Sequence, residues 1–522
     1  MSESEKEGTV ADPDPHQIRS NSSLHALRSL TAYWMVAALV ALLAILYHQM
    51  PGSQGFPLDD GYISLHSAQV LHWGKDPNFP GVPALAGITN APYTLLLWAL
   101  LFVLAPLNAL QAASWLGILC YALGLVALCR AFRLPWPAVL AVVALGATAG
   151  KVSYHLLNGV ETGMALGITA WIFALTKWNT TWSRRAAAFL CGLAPFLRPE
   201  LAALSTLVLS NMIWQEYFKE KSLARTARNC LPLLLLAMAA AAPWFLWYGV
   251  NTGVPIPQSI EAKRVFFAEG CAPNTFRWHV VSSAVSAFMG NIGFLVISLV
   301  FLVRNSLGKC ALAFVGLFFF AYYERLPGAL FHNWGRYSYL LLPIVLLGML
   351  FGLRDRAQLI RVSAYSLLAL SCLQTAVSFP DHWRHFLHDR DSYTQALSSV
   401  SEWSNHNLPP NSTLLIHDAG YISYATKFRM VDLVGLKTPS SIEFNRKYTY
   451  GTCGISRALA VGEIARSAKP DYLVVVEDWN HIFQITGSLA VLGWHMEQVF
   501  GSESYSVYRL TPPAVDHLAE IP

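Results

Sequence analysis

Two adjacent carboxylates, Asp59 and Asp60, stand in Phe56-Pro-Leu-Asp-Asp-Gly-Tyr-Ile63, just beyond the first long apolar run of the chain. Acidic side chains are costly near a bilayer, and those found there usually face a cavity, a partner or a substrate. A carboxylate in a partly dry pocket has its pKa raised toward the range where it can take a proton from a hydroxyl. Neighbouring residues on an extended loop point in opposite directions. One acid can then act as a base while the other binds a hydroxyl, a cation or the backbone. The plain alternative is two solvated loop acids.

Other polar groups interrupt the apolar chain further on. Glu161 is flanked by glycines in Asn158-Gly-Val-Glu-Thr-Gly163, and Arg198-Pro199-Glu200 breaks a hydrophobic stretch. The bland reading of Arg198 is an internal ion pair, and the sharper one is a cation at a cavity. Lys263 and Arg264 close the segment 251–264, while His332-Asn-Trp-Gly-Arg-Tyr337 runs straight into an apolar span. Lys and Arg suit phosphate, carboxylates suit sugar hydroxyls, and aromatic faces suit sugar CH surfaces. Lys263, Arg264, Arg336 and Arg198 are thus candidates for a phosphate. Tyr62, Glu161, His332, Trp334 and Tyr337 are candidates for the rest of a substrate. The ligand these groups fit together is a lipid-linked phosphosugar.

The elements that must position them are membrane helices. Of 522 residues, 54% are hydrophobic and only 13% charged, against about 25% charged in ordinary soluble domains. Apolar runs fall at 30–50, 91–107, 111–131, 134–149, 152–177, 185–197, 200–214, 230–249, 280–303, 308–323, 338–353 and 363–379. About 11–13 transmembrane helices follow from the ~20-residue requirement. Basic loops at 183–185, 219–228, 304–309 and 354–361 mark the cytoplasmic side. The loops 51–90, 251–279 and 324–337, and the tail from Pro380, then fall on the other side. Lys263, Arg264 and Arg336 are therefore cations on the side the charge rule disfavours. Between Asp60 and Asn158 the charge pattern needs an even number of crossings, but three runs are present. The run 134–149 is the one expected to be a half-span or re-entrant segment. The net charge of +5 is explained by the basic loops and calls for no nucleic acid.

Three units follow: a disordered cytoplasmic N-terminus over 1–29, a transmembrane region over 30–379, and a soluble α/β domain over 380–522. In the last, 413–416, 471–476 and 505–510 read as strands, and 395–406 and 455–468 as helices. Six of eight cysteines (Cys120, Cys129, Cys191, Cys230, Cys310 and Cys372) lie in or beside apolar runs and read as packing residues. Cys271 and Cys453 fall in glycine-containing outward loops and are expected to form a disulfide in an oxidising compartment. No metal-ligand spacing is present. No cofactor is demanded, although a divalent cation beside Asp60 is compatible with these residues.

The chain resembles the bacterial GT-C membrane glycosyltransferases that use polyprenyl-phosphate sugars, in the branch containing arabinofuranosyltransferases. The likeness runs in order through Asp59-Asp-Gly-Tyr-Ile63, Ala91-Pro-Tyr-Thr-Leu95, Gly159-Val-Glu-Thr162, Arg198-Pro-Glu200, 259–263, Arg336-Tyr337, Asp418-Ala-Gly-Tyr-Ile422 and Asp432-Leu-Val-Gly-Leu436. Gly61 departs from the branch's usual Ala, and Ala91-Pro92-Tyr93 from its Thr-Ser-Pro. The resemblance implies a bacterial inner-membrane enzyme with a periplasmic C-terminal domain. It would move a sugar, with arabinofuranose suggested, from a polyprenyl-phosphate donor to a hydroxyl of a cell-surface glycan or glycoprotein. Transfer would invert the anomeric centre, with Asp59 as base. A flippase or transporter of lipid-linked glycans, or a non-catalytic assembly protein, is the alternative. Against a transporter stand the lack of an internal repeat and polar groups gathered on one face.

Overall fold

The computed structural model describes residues 15–513 apart from 51 and 53. Among them, five helices are long and apolar enough to cross a bilayer: Pro106–Ala131, Leu223–Thr252, Asn274–Arg304, Ser306–Arg325 and Gln358–Asn407. A sixth candidate is a pair, Pro327–Gly335 and Ser338–Leu353, bent by 86°. Many large apolar side chains on these helices, such as Met238, Leu246, Val250, Val300, Phe320 and Val377, remain exposed. Helices satisfy their own backbone, so such faces are stable in lipid. The chain is a polytopic helical membrane protein.

Several expected spans are shorter helices packed into the bundle. Trp136–Thr148 has 13 residues, about 20 Å at 1.5 Å per residue, against a hydrocarbon core of about 30 Å. The helix in the run 91–107, Ala91–Leu100, is shorter still at 10 residues. Thr162–Trp178 lies tight against Pro106–Ala131. Glycines permit this, since a Cβ on Gly163 would lie 2.8 Å from the Gly117 carbonyl carbon. Small residues at such crossings let helix backbones approach closely.

The expected last span and the expected helix at 395–406 are one continuous helix of 50 residues, Gln358–Asn407. Pro380 lies inside it without ending it. The helix runs from the apolar bundle to a five-stranded sheet of order β2-β1-β3-β5-β4. The strands are β1 (Thr413–Ile416), β2 (Arg429–Asp432), β3 (Tyr472–Val476), β4 (His495–Gly501) and β5 (Tyr505–Thr511). β1 pairs in parallel with β2 and β3, while β5 runs antiparallel to both β3 and β4. β1 and β3 are buried on both faces, with Leu414, Leu415, Ile416, Leu473, Val474 and Val475 inside. Such strands read as continuous apolar runs in sequence. β2 and β4, which are more exposed and polar, are additions to the three strands the sequence indicates.

The sheet's carboxyl edge faces the helix that carries the two acids, Asp59–Trp73. The amides of Gly420 and Tyr421, just beyond β1, donate to Asp59. Beyond β2, the Lys437 ammonium donates to Ser67 Oγ at 2.5 Å. Ligands of open α/β sheets gather outside this edge.

Candidate active site

Asp59 and Asp60 are not on an extended loop but are the first two residues of the Asp59–Trp73 helix. Successive helical positions turn by about 100°, and this sends the two acids to different partners. Asp59 faces the sheet. Its Oδ2 accepts from the Gly420 amide at 2.8 Å and its Oδ1 from the Tyr421 amide at 2.6 Å. The residue is 8% exposed. Burial and the nearby Asp418 carboxylate raise its pKa well above the usual range, the Tyr421 and Gly420 amides opposing them and Asp60 adding to the rise. Gly420 is required here by proximity, because a Cβ on it would lie 2.2 Å from the Asp59 carbonyl oxygen.

Asp60 faces the bundle. Its Oδ2 pairs with Arg336 Nη2 at 2.6 Å, and its side chain is 31% exposed. Burial works against its charge, but Lys263 and Arg336 outweigh it and hold the carboxyl well below the usual range. Lys263 lies on the Gln258–Phe267 helix. Burial disfavours its charge too, yet Tyr337 and Asp60 prevail and raise its pKa. The Tyr337 ring carries guanidinium groups from both Arg198 and Arg336, at 4.9 and 5.0 Å from its centroid. Stacking on an aromatic face offsets the mutual repulsion of two cations. Lys263, Arg336 and Arg198 thus converge around Tyr337, with Asp60 among them. Arg336 Nε and Nη1 are buried without a hydrogen-bond partner in the protein.

Arg198 takes its counter-ion from Glu161, Nε to Oε1 at 2.7 Å. Glu161 Oε2 also accepts from Asn90 Nδ2 at 2.5 Å. Glu161, expected at the substrate, is instead the buried support of Arg198. Glu200 bonds the Tyr322 hydroxyl. Three other expectations change. Tyr62 is 1% exposed and packed among Phe56, Tyr421 and Tyr424, so it joins the acid helix to the sheet domain. Arg264 turns away from Lys263, making a two-pronged pair with Glu261 at 2.7 and 2.8 Å and covering the Tyr450 ring. It lines a separate cavity of about 880 Å³ that also includes Glu443 and Arg446. Trp334 donates to Asp389 at 2.7 Å and holds the Lys151 ammonium over its ring, so its polar edge is occupied. His332 sits in edge contact with Trp479, ring centroids 6.4 Å apart.

Cys271 and Cys453 are both free thiols that lie near one another, and the Cys271 thiol donates to the Tyr450 carbonyl at 3.7 Å. Burial and the Cys453 thiol push Cys271 up to about 11. Among the described residues no three His, Cys, Asp or Glu side chains converge as metal ligands.

The sheet domain also holds the acid pair, through the amides of Gly420 and Tyr421 at Asp59. His417 and Asp418 follow β1, and Trp479 lies just after β3. The signal was present in Asp418-Ala-Gly-Tyr-Ile422, a polar turn with glycine directly after a buried strand.

This architecture, a helical bundle joined to a small sheet domain, shares its fold with a solved structure of ArnT. The crystal structure of ArnT from Cupriavidus metallidurans bound to undecaprenyl phosphate is similar, with a TM-score of 0.51 and 14% identity, covering 90% of this chain and 97% of that one. A cryo-electron-microscopy structure of the arabinofuranosyltransferase AftD from Mycobacteria gives a TM-score of 0.47 and 15% identity, covering 93% of this chain and 40% of that one. Residues 384–508 match a family model described as a domain of unknown function, DUF8728. No curated protein matches the chain in sequence.

Proposed function

We propose that this protein transfers a sugar from a polyprenyl-phosphate donor to an acceptor hydroxyl, at the periplasmic face of a bacterial inner membrane. The observation that carries the reading is the division of the acid pair. Asp60 lies in the cluster of Lys263, Arg336 and Arg198, and Asp59 lies on the opposite, sheet-domain side. The cations suit a phosphate, and the unpartnered Nε and Nη1 of Arg336 are donors such a group would satisfy.

The chemistry follows from this arrangement. The acceptor oxygen attacks the anomeric carbon, the carbon–oxygen bond to the phosphate breaks, and the configuration inverts. Asp59 takes the hydroxyl proton, since it stands away from the phosphate-holding cations and its raised pKa suits a base. Its oxygens are pinned by two amides but each keeps a lone pair. The phosphate leaves with its negative charge held by Lys263, Arg336 and Arg198, a preorganised electrostatic contribution. Asp60 keeps Lys263 and Arg336 in place when the donor is absent.

The test is transfer by the purified chain in proteoliposomes from polyprenyl-phosphate sugars, with polyprenyl-phosphoryl arabinofuranose first, followed by mass spectrometry of the product. Asp59→Asn should abolish transfer while preserving undecaprenyl phosphate binding. More than about a tenth of wild-type activity in that variant corresponds to less than ~1.4 kcal/mol of barrier and removes Asp59 as sole base.

A further inference from the structure

We propose that the sheet domain completes the active site, and that His417, Asp418 and Trp479, at the carboxyl edge of the parallel strands, bind the acceptor saccharide beside Asp59. This rests on the glycosyltransferase reading and deepens it by locating the acceptor.

Four observations carry it. First, the chain runs from β1 through His417 and Asp418 directly to the two amides that hold Asp59, so these side chains border the acid pair. Second, Asp418 is only half-buried. Its Oδ2 accepts from the Tyr505 hydroxyl at 2.9 Å. That bond fixes the carboxylate while leaving Oδ1 for another donor. Third, His417 is 3% exposed, and neither ring nitrogen has a hydrogen-bond partner in the protein. A buried imidazole without partners pays a desolvation cost that a ligand hydroxyl would relieve. Fourth, the Trp479 ring lies edge-on to His417, centroids 4.6 Å apart, and also touches His332 and Phe266. It therefore bridges the sheet domain to the loop that precedes Arg336 and to the helix that carries Lys263.

Carboxylate, imidazole and indole together suit a neutral saccharide. Asp418 and His417 match its hydroxyls as acceptor and as donor or acceptor, and Trp479 offers an apolar face for its CH surface. A phosphate belongs elsewhere, because Asp418 and Asp59 repel it and the cations lie on the Asp60 side. Donor and acceptor therefore approach from opposite sides of the Asp59–Asp60 pair, one from the bundle and one from the sheet domain.

The experiment uses the full chain in lipid nanodiscs. Binding is measured for two probes: undecaprenyl phosphate, and a panel of linear hexasaccharides of arabinofuranose, mannose and glucose. Wild type should bind at least one hexasaccharide. Asp418→Asn should weaken that binding by about tenfold or more and leave undecaprenyl phosphate within about twofold. Trp479→Phe, which keeps an aromatic ring in the packing, should weaken the saccharide to a smaller extent. The inference is overturned if no hexasaccharide binds wild type, if both variants bind saccharide like wild type, or if both probes weaken together. Failure of the glycosyltransferase reading looks different, as wild type would then bind no undecaprenyl phosphate and transfer no sugar.

Discussion

Asp59 Oδ1 lies 2.6 Å from the amide of Tyr421, a residue 362 positions later in the chain. A side chain at the entrance of the membrane bundle is thereby fixed by the backbone of the sheet domain. The position of the proposed base depends on how the two parts dock. Gly420→Ala should separate them, because its Cβ would meet Asp59 backbone at 2.2 Å. Overpacking of this kind costs about 1–3 kcal/mol. The expected result is lost transfer and faster hydrogen exchange at 417–425, with undecaprenyl phosphate still bound. Unchanged exchange and activity would mean that the docking does not position Asp59.

Lys263 and Arg264 are neighbours with opposite assignments. Lys263→Gln should weaken undecaprenyl phosphate binding by about tenfold or more, the ~1.4 kcal/mol expected for one lost charge-assisted contact. Arg264→Gln should stay within about twofold, since that guanidinium is paired with Glu261 and faces the other cavity. Equal losses in isothermal titration would place the phosphate between the two faces of the helix.

The contrast between these residues shows what a sequence can and cannot carry. Lys263 and Arg336 stand out because they are cations on the side that membrane topology disfavours, and the acid pair because it follows an apolar run. Which neighbour points inward depends on where a helix begins. Reading Asp59–Asp60 as an extended loop hid that Tyr62, three positions on, faces the sheet domain. Glu161 and Arg198 look alike as polar interruptions, and only their 2.7 Å contact makes one the support of the other. The buried strands β1 and β3 were legible from their apolar runs. Their meeting with residue 59 is a tertiary fact with no local signature.

The pH dependence of transfer should follow Asp59. The base must be ionised, and its pKa is raised by burial and by Asp418, then lowered in part by the two amides and raised further by Asp60. Activity should therefore fall with decreasing pH at values above the ordinary carboxylate range. Asp418→Asn removes one of the raising charges, so the acid limb of kcat/KM should move to lower pH. A limb that stays put, or moves up, contradicts the link between the two carboxylates.

Lys437 offers a stability test independent of catalysis. The side chain is 0% exposed, and burial pushes its pKa down to about 8, with Asp76 and Asp432 opposing. An unfolded lysine titrates near 10.4. Between these values the unfolded chain holds more protons than the folded one, so stability rises with pH. Below about pH 8 the penalty is fully present, at most about 3 kcal/mol by linkage. Lys437→Met lacks this titration. The melting temperature of wild type relative to that variant should climb from about pH 8 to 10, and a flat difference would refute the depressed pKa.

The two thiols give the last test. Cys271 and Cys453 are free thiols that lie near one another, one in the segment after the Lys263 helix and one in the sheet domain. Oxidation by a thiol–disulfide oxidant would remove two electrons and two protons and join them, closing a loop of about 180 residues. Chain-closure entropy puts the stabilisation near 5 kcal/mol, an upper figure because strain reduces it. The bond would tie the sheet domain to the segment beside Lys263, across from the amides that hold Asp59. Protein purified from an oxidising compartment should then yield a cross-linked peptide pair by mass spectrometry without reductant. Reduction, or Cys453→Ser, should lower the melting temperature and speed proteolysis between the bundle and the sheet. Complete labelling of both thiols in unreduced, denatured protein would exclude the bond and leave the docking to the Asp59 and Lys437 contacts.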